Sequence, residues 1–361
     1  MLSDYFQRLM LDIYLPIAEV YINVPFLLFI SAIVGFLTGL LGIGGGFLMT
    51  PILIFLGIPP VYAVANGANN ILAASVSGAL AHYFKNHIDV KMGILILIGG
   101  LVGAVLGVEI FSYFIKEGSI NNLISISYFI LLSAIGLLMF YESLSEIRRI
   151  RNNKFIKRRL HQHYWVHNLP FKVRLHASKL YISAIGPIIF GILIGLISSL
   201  LGVGGGFILV PILIYVLGMP AKLVPGTSLF AMIFVMIIVT LLHAISNKTI
   251  DLYLVLILAV GSVLGAQIGS YVSSKLAGEV LRGLLSILIL IFGCRFGYDL
   301  FFSKILPSLN ITNTLAPELN NFTKFMINTS ENHPIIYGIT SVTIAIGIGI
   351  LVAYSFKKLL K

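Results

Sequence analysis

The chain has 361 residues, of which 58% are hydrophobic and only 10% charged, with 35 glycines and a mean hydropathy of +1.02. Soluble domains run at roughly 45–50% apolar and about 25% charged residues, so this composition excludes a water-soluble surface and points to an integral membrane protein. A single cysteine, Cys294, excludes a disulfide framework and any cysteine-built zinc or iron–sulfur centre. The net charge of +11 is expected to report orientation in a membrane rather than a nucleic-acid partner.

A bilayer core of about 30 Å takes roughly 20 apolar helical residues. Residues 1–21 form an extracytoplasmic segment with no basic start and no small-residue cleavage site, so the first apolar run is read as a span and not as a cleaved signal. Nine candidate spans follow, at 25–41, 61–84, 92–115, 123–141, 182–201, 223–245, 252–272, 280–301 and 335–356. Two further apolar pieces, 47–57 and 207–218, are too short to cross at 1.5 Å per residue and are expected to enter the membrane as re-entrant or stretched segments.

The stretch 143–180 carries Arg148, Arg149, Arg151, Lys154, Lys157, Arg158, Arg159, Lys172, Arg174 and Lys179 against Glu146 alone. Cytoplasmic loops collect Lys and Arg, so this linker is placed inside, with contact to anionic lipid as a secondary effect. The N-terminus then lies outside and the tail with Lys357, Lys358 and Lys361 inside, as expected for a multi-pass protein of the plasma (inner) membrane. Within the linker, His161, His163, His167 and His176 lack acidic partners and sit among cations, so no metal and no cofactor is expected. Residues 171–182 alternate apolar and polar side chains, which suits a short hairpin on the inner surface.

Val34 to Leu53 reads VGFLTGLLGIGGGFLMTPIL and Ile194 to Leu213 reads IGLISSLLGVGGGFILVPIL. The match continues through Gly57-Ile58-Pro59 and Gly218-Met219-Pro220, and through His82 to Asp89 and His243 to Asp251. It then takes in the ladders Gly99, Gly103, Gly107 and Gly261, Gly265, Gly269, whose spacing of four puts small residues on one helix face for close packing. The expected fold is therefore all-α, with transmembrane repeats at 22–142 and 181–302, the linker 143–180, an extracytoplasmic loop 303–334 and an added C-terminal helix with its tail at 335–361. An odd number of crossings per copy makes the repeats face opposite ways, the plan of many secondary transporters.

These paired Leu-Leu-Gly-x-Gly-Gly-Gly-Phe-x-x-x-Pro elements, Leu40 to Pro51 and Leu200 to Pro211, together with Gly226-Thr227-Ser228-Leu229, resemble the sulfite exporter TauE/SafE family of membrane permeases. The resemblance implies a permease for a small sulfur-containing oxyanion or organosulfonate, in a family whose members differ in substrate.

Read from the residues, Gly44, Gly45, Gly46 and Gly204, Gly205, Gly206 break helices at membrane depth, which is tolerated only where backbone is buried in protein or lines a cavity. Helices starting at Phe47 and Phe207 would aim free N–H groups at a shared anion site, although glycines that serve packing alone give the same string. Thr227 and Ser228, and at the aligned positions Asn66 and Gly67 followed by Asn69, could donate to an oxyanion or merely cap their helices. His82 and His243 fit proton coupling, or interfacial residues that snorkel to headgroups or bond a loop carbonyl; Arg295 and Asp299 read as a self-neutralising i,i+4 pair. The expected function is a carrier of a small anion by alternating access, with an anion channel or a membrane scaffold as the alternatives. A homo-oligomer stays open. An intramembrane protease would need a Gly-x-Ser-Gly with a membrane histidine, or paired intramembrane aspartates, and the sequence has neither.

Overall fold

Each half of the chain begins with a β-hairpin. In the computed structural model, which describes residues 12–42, 46–151, 170–272, 278–302 and 321–359, β1 (Asp12–Leu15) pairs antiparallel with β2 (Val20–Asn23). In matching register, β3 (Lys172–Leu175) pairs with β4 (Leu180–Ser183), so that Leu15 faces Val20 and Leu175 faces Leu180. The last turn residue, Glu19 or Lys179, is left-handed with φ 55° in both. The second hairpin was expected from its alternation; the first lies in the segment read only as extracytoplasmic.

Helices follow in the same order in each half. The first half holds α1 (Val24–Leu41), α2 (Gly46–Phe55), α3 (Pro60–Tyr83), α4 (Val90–Lys116) and α5 (Ile120–Arg151). The second holds α6 (Ile185–Leu201), α7 (Gly206–Pro211) continued by a π-turn Ile212–Val216, α8 (Val224–Leu242) continued by a π-turn His243–Asn247, α9 (Leu252–Val272) and α10 (Gly278–Phe302). Two more, α11 (Asn321–Asn332) and α12 (Pro334–Leu359), close the chain. The cap chemistry is local: Asn23 accepts the Phe26 N–H at 3.2 Å at the head of α1, and left-handed Gly42 (φ 69°) and Gly202 (φ 63°) end α1 and α6.

Among the described residues, five helices are long and apolar enough to cross a membrane: α4, α5 as far as Tyr141, α8 with its extension, α9 and α12. The chain is thus a mostly helical, multi-pass membrane protein. α3 falls outside that group because it carries Asn66, Asn69, Asn70, Ser75, Ser77 and His82, all buried. A helix enclosed by protein can carry polar groups that a lipid-facing helix cannot.

The glycine ladders decide which helices pair. Gly261, Gly265 and Gly269 of α9 lie against Leu28–Ser31, Ala32–Phe36 and Phe36–Leu40 of α1, while Gly99, Gly103 and Gly107 of α4 lie against Ile188, Ile192 and Leu196 of α6. An added Cβ would overlap partner backbone or side chain at every rung. Residue numbers rise together along both pairs, so the helices run parallel, and each ladder packs on the first helix of the other half. Ser77 of α3 donates to the Val263 carbonyl of α9, and Gly349 of α12 rests on Ala73 and Val76, which aligns α1, α3, α9 and α12 in one direction. Gly226 of α8 abuts His82, His87 and Ile88 at the far end of α3, and Leu229 reaches Gly78, so α8 runs against α3. α12 is part of this core: Ser341 meets Asn69, and Gly338 rests on Leu241 and Ala244 of α8 and its π-turn.

α5 and α10 form a second compact unit. They are antiparallel, with Tyr128 stacked on Phe296 (centroids 5.2 Å) and Gly136 against Leu290. Arg295 lies over the Tyr298 ring at 5.8 Å, and Cys294 is exposed. The Asp299 side chain, needed for the expected ion pair with Arg295, lies outside the described residues, as do His161, His163 and His167.

Candidate substrate site

Two helix breaks face each other in the first unit. α1 ends at Gly42, and α2 restarts at Gly46, whose added Cβ would meet Ile71 at the midpoint of α3 and the Gly202 carbonyl. Residues 43–45, including Gly44 and Gly45, lie outside the described residues. In the second half, α6 ends at Gly202, Gly204 (φ 74°) and Gly205 (φ 54°) stay left-handed, and α7 restarts at Gly206. A side chain at Gly205 would be strained by its φ and would strike Ile194 and Ser198. The first residues after each restart, Phe47 and Phe207, are buried and lie ring to ring at 5.6 Å. Gly46, Phe47, Gly204, Gly205, Gly206 and Phe207 are therefore brought together, far as they are in sequence.

The polar candidates on α3 and α8 are already engaged by protein. Ser228 donates to the Gly42 carbonyl at 2.6 Å, satisfying the last turn before the first break. Asn66 accepts the Asp251 N–H at 3.0 Å and donates to the Thr249 carbonyl at 3.1 Å, while Thr227 accepts the Asp89 N–H at 2.9 Å. Asn69 donates to Ser341 on α12, leaving its own Oδ1 buried without a partner, as is Asn70 Oδ1. Ser198 Oγ, beside Gly205, is also buried and unpartnered. Such groups cost roughly 1–3 kcal/mol each when unsatisfied, and so mark places where water or a ligand would be welcome.

His82 and His243 are buried, and each donates from Nε2 to a carbonyl near the end of its own half's first helix: Gly39 at 3.5 Å and Ser199 at 3.0 Å. Nδ1 of His243 accepts from Asn247 at 3.1 Å. Both carbonyls belong to helices, α1 and α6, rather than to a loop, and the burial of both rings keeps them from the headgroups. Thr50 was missed by sequence reasoning although it touches the break, donating to Gly202 O at 3.1 Å. A hydroxyl four residues after Gly46 was the available signal.

Asp89 and Asp251 were read only as landmarks, yet both are buried and cap α4 and α9. Asp251 accepts the N–H of Tyr253 (3.0 Å) and of Ile17 (3.0 Å) in the first hairpin turn; Asp89 accepts the N–H of Met92 (3.2 Å) and both the N–H (3.0 Å) and hydroxyl (2.7 Å) of Ser178 in the second. Burial pushes the Asp251 carboxyl above its ordinary value, and the N–H groups of Ile17, Leu254, Tyr253 and Ala18 oppose that push.

The comparisons with known proteins agree on kind. The family model described as Sulfite exporter TauE/SafE matches residues 27–296. A protein of Xylella fastidiosa (strain 9a5c) bearing the description "Probable membrane transporter protein" is 30% identical over 204 residues, covering 56% of this chain and 67% of that one. YjnA of Bacillus subtilis, similarly described, is 28% identical over 196 residues, 54% of this chain and 69% of its own. YunE of the same organism is 25% identical over 285 residues, 77% of this chain and 98% of its own. No solved structure matches.

Proposed function

The chain belongs to the sulfite exporter TauE/SafE family, and on that premise we propose that it is a membrane carrier of a small anion, with sulfite or another sulfur-containing oxyanion or organosulfonate as its substrate class. The observation that carries this reading is the meeting of two broken helices, Phe47 against Phe207, beside the midpoint of α3. Broken helices with free N–H groups near a membrane midplane suit an anion without a buried cation. In this reading the backbone of Gly44 to Phe47 and Gly204 to Phe207 contacts the anion. Asn66, Asn69 and Ser228 can donate to it only in a state where their present protein bonds have parted, whereas Thr227 accepts in its present bond and keeps its hydroxyl proton to donate.

Alternating access is supported by the directions of the helices: α1 and α3 oppose α8, their halves packing crosswise through the ladders. The proposed orientation, N-terminus outside and C-terminus cytoplasmic, is supported by charge. Hairpin one carries Asp12 and Glu19, and hairpin two carries Lys172, Arg174 and Lys179.

Proteoliposomes loaded with sulfite, thiosulfate, sulfoacetate or taurine test the proposal. Saturable flux of one of these anions is expected, and Gly205→Val or Gly45→Val should abolish it while the protein still inserts. Ohmic current would favour a channel, and no flux of any of the four would remove the reading.

A further inference from the structure

The two hairpin turns grip carboxylates that belong to the opposite half of the chain. Asp251, in the second half, is held by first-half groups: its carboxylate by the Ile17 N–H and its own N–H by Asn66 Oδ1, both at 3.0 Å. Asp89, in the first half, is held by second-half groups: its carboxylate by Ser178 and its N–H by the Thr227 hydroxyl at 2.9 Å. Asn66 and Thr227 are matched positions, as are the two turns. Leu15 and Leu175, each ending the first strand of its hairpin, are both fully buried.

The two assemblies lie at opposite ends of one helix. Asn66 is near the start of α3, whereas Gly226 and Asp89 gather at its other end beside His82. At 1.5 Å per residue, the stretch of α3 from Asn66 to His82 separates them by about 24 Å, most of the roughly 30 Å core of a bilayer. The bonds from Ile17 and Ser178 run to carboxylate oxygens, and every bond crosses between halves that would have to move apart for a central site to open. A pair of equivalent, buried, inter-half attachments at the two faces is what a two-gate cycle requires, because one face can release while the other holds.

We propose that Asp251 with the Ile17–Ala18 turn, and Asp89 with Ser178, are matched clamps, one per membrane face, and that the carrier opens them one at a time. This rests on the carrier reading above. Opening a clamp lifts its hairpin and exposes the leucine beneath it, and closing the opposite clamp protects the other leucine.

The test uses the full chain in detergent with Cys294→Ser and a single reporter, Leu15→Cys or Leu175→Cys, labelled by a water-soluble maleimide. Asp251→Asn turns one acceptor oxygen into an NH2 facing the Ile17 N–H. It should raise Leu15→Cys labelling about tenfold, the order expected for one lost charge-assisted bond, and lower that of Leu175→Cys. Asp89→Asn should do the reverse, and Ser178→Ala the same as Asp89→Asn but more weakly, which keeps the test alive if an aspartate variant does not fold. Local loosening with no reciprocal protection at the remote reporter would overturn the proposal. Reciprocal labelling in a protein that moves none of the four anions would retain the clamps and remove the substrate class instead. A second readout uses Ser178→Cys with Asp89→Cys: oxidation should stop the flux and reduction restore it, and unchanged flux in the cross-linked protein would also overturn the proposal.

Discussion

The two helix breaks solve one problem with different residues. In the first half the carbonyl of Gly42 is satisfied by Ser228 of α8; in the second the carbonyl of Gly202 is satisfied by Thr50 of α2. The position matching Ser228 is Gly67, where an added Cβ would collide with the Thr50 hydroxyl, and the position matching Thr50 is Val210. A hydroxyl thus reaches the same kind of carbonyl from either of two neighbouring helices, with a small or apolar residue wherever the hydroxyl is not. What the two halves share is the bond, since an unsatisfied carbonyl in the membrane interior is costly whichever residue is missing. The difference between Asn66-Gly67 and the aligned Thr227-Ser228 is therefore in part a relocation of the donor.

The ladders, where the halves are alike, set the largest expected effect. Gly103→Val and Gly265→Val each drive a side chain into the backbone of the facing helix, Ile192 or Ala32. Both should prevent accumulation of folded protein, to similar degrees, as read by size-exclusion profiles of tagged protein; a large difference between them would show that the two pairings are not equivalent.

Next come the break donors. Thr50→Val leaves Gly202 O without a donor and should cost about 1–3 kcal/mol, seen as a lower thermal midpoint in detergent. Gly67→Ser alone should also destabilise, through its clash with Thr50. The double variant recreates the Val210 and Ser228 arrangement and should recover most of the loss, a coupling that a double-mutant cycle measures directly. Additive losses would break the comparison.

Smaller still is the hairpin turn. Glu19→Gly and Lys179→Gly each relieve a left-handed residue at φ 55°. Each should stabilise by up to about 1 kcal/mol, offset in part by the freer unfolded chain. Equal shifts in thermal midpoint are expected despite the opposite charges. The smallest change is expected at Gly347 of α12, which has open space around it. Gly347→Ala should stabilise by about 0.5–1 kcal/mol through helix propensity alone.

Much of this architecture was legible from short stretches of residues. Three consecutive glycines between apolar runs have few meanings inside a membrane, and the breaks at Gly42 and Gly202 follow from them. Alternation at 171–182 marked the second hairpin, whereas the first, with the same Leu-x-x-x-x-x-Tyr-Ile frame at Leu15 to Ile22, was expected only as part of an extracytoplasmic segment. The hold on Asp251 was not legible at all. Its partner is a backbone N–H 234 positions away, and the isoleucine side chain at residue 17 says nothing about what its amide will meet.

By itself the sequence determined the medium, the duplicated order of elements, the break points and the faces on which helices can approach closely, because each depends on composition or on spacing within one segment. Tertiary structure decided the partners. A Gly-x-x-x-Gly face will accept any close helix, so nothing in Gly261, Gly265 and Gly269 selects α1 over α6. A buried carbonyl will take any hydroxyl in reach. Which half supplies each group depends on distances between residues far apart in the chain, and those exist only once the helices have packed.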